Sequence, residues 1–137
     1  MAKLRHIAIA TKDPDATAEF YKKHFEMKEV GTIENDLGEG VYLSDGVVNL
    51  AVIKMRSRWT NLPGEDINFT GIHHFGFIVE DMEKAAGALE ADGSELAADR
   101  YEGRGEDTVF YELKYTAPDD VVVDISQRGW VGARGDV

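Results

Sequence analysis

Two stretches of this chain repeat one another, and that repeat narrows the fold more than any other feature. His6-Ile7-Ala8-Ile9-Ala10 runs on to Asp13, and His74-Phe75-Gly76-Phe77-Ile78 runs on to Asp81 at a constant offset. Both have histidine, an apolar residue, Ala or Gly, another apolar residue and a closing aspartate, and both are rich in strand-compatible side chains. The residues after each strand also match. Asp13-Pro14 supplies an N-cap and a proline at the first helical position. Ala16, Phe20, Tyr21, His24 and Phe25 then recur at helical spacing. Asp81 caps a second helix with a stripe of Met82, Ala85, Ala86 and Leu89, and Gly93 marks its end.

Three β-prone runs come after each helix. In the first half they fall at about 28–34, 40–44 and 47–54, broken by Asp36, Gly38-Glu39-Gly40 and Asp45-Gly46. In the second half they fall at about 95–101, 107–114 and 120–127, broken by Gly103-Arg104-Gly105 and Pro118-Asp119-Asp120. The chain therefore reads as one α+β domain over 1–137 made of paired βαβββ modules. Module 1 covers about 4–54, module 2 about 71–127, residues 55–70 form a connector, and 128–137 form a C-terminal tail. Such a half-unit has open strand edges and one bare face, and pairing two covers both.

Side chains alternate along a strand, so His6, Ala8 and Ala10 share one face, and His74, Gly76 and Ile78 share the matching one. In Val121-Val122-Val123-Asp124-Ile125, Asp124 is a carboxylate in an apolar run, which is costly unless a cation or hydrogen bonds satisfy it. Two imidazoles and a carboxylate suit several first-row divalent ions. A lone strand histidine is more often a core or surface residue, but here two histidines match under the repeat. His73 points to the opposite face and takes no metal role, and His24 belongs to the helix as a packing or surface residue.

Composition limits the partners. There is no cysteine, which excludes disulfides and thiolate chemistry. The net charge of −11, with scattered basic residues, argues against nucleic acid. No apolar run approaches the ~20 residues of a membrane span, and the first residues lack the apolar core of a secretory signal. The expectation is a cytoplasmic protein with a small-molecule substrate and no membrane partner.

At these residues the sequence resembles the vicinal-oxygen-chelate superfamily of glyoxalases, bleomycin-resistance proteins and dioxygenases. The resemblance runs from Leu4 to about Gln127 and rests on four stretches. These are Leu4-Arg5-His6-Ile7-Ala8-Ile9, Glu19-Phe20-Tyr21 with Phe25-Glu26-Met27, Gly71-Ile72-His73-His74-Phe75-Gly76, and Pro118-Asp119-Asp120 ahead of Val123-Asp124-Ile125. It implies a glyoxalase-like open barrel, one divalent metal ion (Fe, Zn, Ni, Co or Mn) on His6, His74 and Asp124, and a homodimer. Three positions depart from the family: Glu26 and Asp120 stand where glycine is usual, and Asp124 is shorter than the usual glutamate. The fourth ligand position falls on Ala51, which cannot bind metal, and Asn49, two residues away on the same face, is the only nearby substitute.

The resemblance implies an isomerase, lyase or epimerase acting through a metal-stabilised enolate. Glu112 is the candidate base, although an exposed strand residue beside Lys114 is the more ordinary reading of it. Tyr111 and Tyr115 read as packing residues. An Fe(II) ring-cleaving dioxygenase is the second reading and a non-catalytic small-molecule binder the third. Arg56, Arg58, Arg100 and Arg104 are candidates for an anionic substrate group or plain solvated charges. Trp130 reads as a packing plug at a barrel end or subunit contact, and Trp59 as a lid or a surface residue.

Overall fold

The computed structural model describes residues 1–102 and 110–137, and the side chains of all of these except 100–102 and 110–111. The elements are β1 (Lys3–Ala10), α1 (Pro14–Phe25), β2 (Lys28–Asn35), β3 (Gly38–Ser44), β4 (Asn49–Met55), β5 (Gly71–Ile78), α2 (Met82–Ala91), β6 (Leu96–Glu102), β7 (Phe110–Thr116) and β8 (Val122–Ser126). Among the described residues they form one curled, open sheet ordered β2-β3-β4-β1-β5-β8-β7-β6. Each half is βαβββ. The halves join where β1 pairs antiparallel with β5, while β4 and β8 lie parallel to those two strands. The strands that carry the two histidines are thus central neighbours.

The helices form where the capping signals lie. Asp13 accepts the Ala16 N–H and Asp81 accepts the Lys84 N–H, both at 3.0 Å. Glu26 ends α1 in the left-handed region at φ 56°, which explains why glycine suits that position. α1 covers Val41, Leu43, Leu50 and Val52, and α2 covers Leu113, Tyr115, Val123 and Ile125. These clusters occupy the outer face, and the inner face holds the site. Among the described residues no helix is long and apolar enough to cross a membrane.

Several strand boundaries differ from expectation by about two residues, and two of them show why. Gly38-Glu39-Gly40 belongs to β3 and not to a break, because the turn sits earlier, where Asn35 Oδ1 accepts the Leu37 and Gly38 N–H groups. A Cβ at Gly40 would lie 1.9 Å from the Val52 carbonyl oxygen, so glycine there permits close strand approach. The last strand starts at Val122 and not at 120, because Asp119 and Asp120 take φ of 63° and 60° in a 3₁₀ turn that no strand accommodates. The start of the expected strand 107–114, the break Gly103-Arg104-Gly105 and the side chains of Arg100 and Tyr111 lie outside the described residues.

Candidate metal centre

Alternation puts the predicted ligands on the inner face. Along β1, His6, Ala8 and Ala10 are buried while their neighbours are only partly so. Along β5, His74 and Gly76 are buried. β8 aligns Asp124 with Gly76, and β7 aligns Lys114 with Asp124. His6, His74 and Asp124 are at most 4% exposed.

The three donors converge. His6 Nε2 and His74 Nε2 are 3.2 Å apart, His74 Nε2 is 3.2 Å from Asp124 Oδ2, and His6 Nε2 is 3.8 Å from the same oxygen. Donors bound to one ion at roughly 2.1 Å stand roughly 3.0–3.5 Å apart in octahedral or tetrahedral arrangements. Two edges of the triangle fall in that range and the third, at 3.8 Å, exceeds it, so the three donors form a candidate site for one ion once His6 and Asp124 draw slightly closer.

Hydrogen bonds settle which ring nitrogens carry protons. Asn49 gives its Nδ2 to the Val131 carbonyl at 2.8 Å, so its Oδ1 accepts the His6 Nδ1–H at 2.7 Å. His6 Nε2 is left bare. Asn49 therefore orients His6, and its oxygen is spent on that ring. On the other side, Glu65 receives the Trp59 and Thr60 N–H groups, the Thr60 hydroxyl and, at 2.9 Å, the His73 Nε2–H. His73 Nδ1 then accepts from His74 Nδ1–H at 2.8 Å, which leaves His74 Nε2 bare as well. Hydrogen-bonded partners of this kind fix the orientation and basicity of ligating imidazoles. Burial lowers the pKa of His6 despite the nearby Asp124 and Glu112 charges. Burial, reinforced by Lys114, lowers that of His74 well below 6.5. Both shifts favour the neutral ring, which is the form a metal would need.

His73 and Glu65 have no place in the sequence reading of the centre. His73 has the expected opposite parity, yet its ring bonds that of His74. Glu65 lies in the connector, where nothing periodic marks it. Trp59 from the same segment is 3% exposed, with its ring edge-on to His73 and His74, so it is neither a surface residue nor a free flap.

Glu112 is buried, against the more ordinary expectation of an exposed strand residue. Its Oε2 accepts the Trp130 Nε1–H at 2.7 Å. The Trp130 ring stacks on His6 at 4.5 Å and 9° between planes, so this tail residue packs the centre itself. Lys114, 2% exposed, gives its ammonium to Asp124 at 2.8 and 2.9 Å and to His74 Nε2 at 3.2 Å. Tyr115 packs in the core, and its hydroxyl donates to Glu90. Arg56 pairs with Glu34 and Glu39 at the surface, and Arg58 lies near Glu65.

Beside these groups lies a cavity of about 50 Å³. Module 1 gives it a largely apolar wall of Ile33, Leu37, Tyr42, Ala51 and Ile53 with His6 and Asn35 at its polar edge, Trp59 of the connector adds to it, and module 2 gives a polar wall of His74, Glu112 and Lys114. Ala51 keeps the fourth ligand position open. The arrangement can hold a cation by three donors, face it with a small apolar pocket and set a carboxylate beside that pocket.

Solved structures of other proteins share this fold. A methylmalonyl-CoA epimerase solved with methylmalonyl-CoA and NH4+ superposes with a TM-score of 0.73 at 20% identity, covering 98% of this chain and 99% of that one. A Streptomyces coelicolor methylmalonyl-CoA epimerase variant bound to 2-nitronate-propionyl-CoA gives 0.69 at 22% identity, covering 90% and 95%. A hypothetical protein from Bacillus halodurans gives 0.69 at 18%, covering 91% and 93%. At these identities the likeness establishes the fold. A search of curated proteins finds no match. The profile of the Glyoxalase/Bleomycin resistance protein/Dioxygenase superfamily matches residues 3–125, and the chain belongs to that superfamily.

Proposed function

We propose that this protein is a divalent-metal-supported enzyme of the isomerase, lyase or epimerase type, acting on a small compound with two neighbouring oxygens. One observation carries the reading: two bare imidazole nitrogens and a carboxylate converge beside a small pocket that Glu112 also lines. His6, His74 and Asp124 would hold the ion. When bound, such an ion supplies charge stabilisation for substrate oxygens as the adjacent carbon loses its proton.

The chain's own residues account for the rest. Glu112 is the base, with Trp130 holding one of its oxygens and leaving the other on the side of Lys114. Tyr42, Ile53 and Trp59 exclude water and seat the apolar part of the substrate. A water needs roughly 10–15 Å³ of such space, so the cavity of about 50 Å³ takes only the reacting end of a larger substrate. Because several similar structures are methylmalonyl-CoA epimerases, branched acyl thioesters are the first substrates to try. We carry forward a homodimer as the assembly, to be measured by sedimentation.

The test joins metal analysis with isotope exchange. Purified protein should hold about one ion per chain, lost in His6→Ala and His74→Ala. In D2O the protein should exchange the proton next to the thioester carbonyl of methylmalonyl-CoA or a related acyl-CoA. Glu112→Gln should slow that exchange by about 10²–10⁴-fold while keeping the ion. Full exchange in Glu112→Gln refutes the base assignment. Iron together with oxygen uptake on catechols would move the reading to a ring-cleaving dioxygenase.

A further inference from the structure

Lys114 is the one group at the centre that the proposed chemistry leaves without a task. Its position follows from register, since β7 aligns it with Asp124 on the inner face. An ammonium has three N–H bonds. Here they face Asp124 Oδ1 at 2.9 Å, Asp124 Oδ2 at 2.8 Å and His74 Nε2 at 3.2 Å. Two of the three proposed ion ligands are therefore already bound to a cation. At 2% exposure Lys114 has no water to turn to, and a buried charge of this kind holds only with a partner.

We infer that Lys114 is the resident cation of this centre, so that a divalent ion enters only as the ammonium leaves His74 and Asp124. The inference rests on the reading of those residues as ion ligands. The bare Nε2 of His74 has one lone pair, which serves either the Lys114 N–H or an ion. An ion bound to Asp124 would also lie close to a second positive charge in a buried site, where repulsion is little screened. The nearest other anion for the ammonium is Glu112, whose Oε1 is 3.6 Å away. Ion entry thus moves Lys114 toward the carboxylate proposed as the base, and loading of the centre and the surroundings of Glu112 change together. In the ion-free protein the lysine neutralises Asp124, so the fold does not depend on metal.

The experiment titrates the full chain, stripped of metal, with Zn²⁺ by calorimetry. Lys114→Met should bind Zn²⁺ at least tenfold more tightly than wild type, and its melting temperature should fall in chelator and recover with Zn²⁺. Wild type should melt above Lys114→Met in chelator and gain less from the same Zn²⁺ concentration, in keeping with its weaker binding. Equal or weaker Zn²⁺ binding by Lys114→Met overturns the inference and leaves the ligand reading intact. Absence of binding in both proteins sinks the ligand reading, and the inference with it. Should Lys114→Met not fold, the wild type still decides. The ¹⁵N-detected ammonium signal of Lys114 should shift as one equivalent of Zn²⁺ binds, and an unmoved signal with Zn²⁺ bound overturns the inference.

Discussion

Asn49→Ala tests the claim that Asn49 holds His6 in the ligating tautomer. The amide makes two hydrogen bonds, accepting from His6 Nδ1 at 2.7 Å and donating to the Val131 carbonyl at 2.8 Å. Asn49 is fully buried and His6 is 3% exposed, so water does not readily replace either bond. Each stranded group costs about 1–3 kcal/mol, for a total loss of about 2–6 kcal/mol. With a urea slope of about 2 kcal/mol/M, the unfolding midpoint should fall by about 1–3 M. The freed imidazole can also protonate on Nε2 and turn its lone pair away from the centre. Metal affinity should therefore drop about 10–100-fold. The assays are urea denaturation of the ion-free protein and calorimetric Zn²⁺ titration. A variant within about 0.5 kcal/mol of wild type and with unchanged affinity would refute the reasoning.

Three further outcomes are expected. Gly76→Ala should destabilise by about 1–3 kcal/mol and red-shift tryptophan fluorescence, because an added Cβ would sit 2.7 Å from the Trp130 ring; an unshifted spectrum contradicts this. Glu26→Gly should stabilise by about 0.5–1 kcal/mol, since it relieves a left-handed φ of 56° at some cost in chain entropy; a lower midpoint in urea would count against it. Burial raises the Glu65 pKa, but the hydrogen bonds from Thr60, Trp59 and His73 outweigh it and the net shift is below 4.5. Its contribution to stability is therefore complete above pH ~4.5 and is lost as pH falls through the lower folded value. Wild type and Glu65→Gln should accordingly differ most near neutrality and converge in acid, and a gap that persists at pH 2–3 argues otherwise.

The central strands are legible in sequence because alternation and the repeat act over a few residues. His6, Ala8 and Ala10 share the buried face as expected, and the caps at Asp13 and Asp81 sit where their side chains predict. The proposed ligands His6, His74 and Asp124 follow from that parity together with the resemblance, and the structure brings the three side chains together. Glu65 is not legible, since its contact with His73 depends on how an aperiodic connector folds back. Lys114 reads in sequence only as a neighbour of Glu112 on an exposed strand. A lysine between Leu113 and Tyr115 is the available signal, but its meaning needs the β7–β8 register. Asn49 offers the sequence reader its oxygen alone, and the Val131 carbonyl that fixes its orientation lies in the tail.

The two modules share a frame but present unlike walls, and this bears on stereochemistry. Glu112 and Lys114 stand on one side of the cavity, while the only polar side chain facing them from β3 is the phenol of Tyr42. Under the proposed chemistry a carbanion between those walls would return to its starting hand if Glu112 gave the proton back, and would invert only with a donor on the facing wall, where Tyr42 stands. Deuterium uptake that keeps the starting hand would mark the module 2 wall as the last donor, and uptake with inversion the wall that faces it.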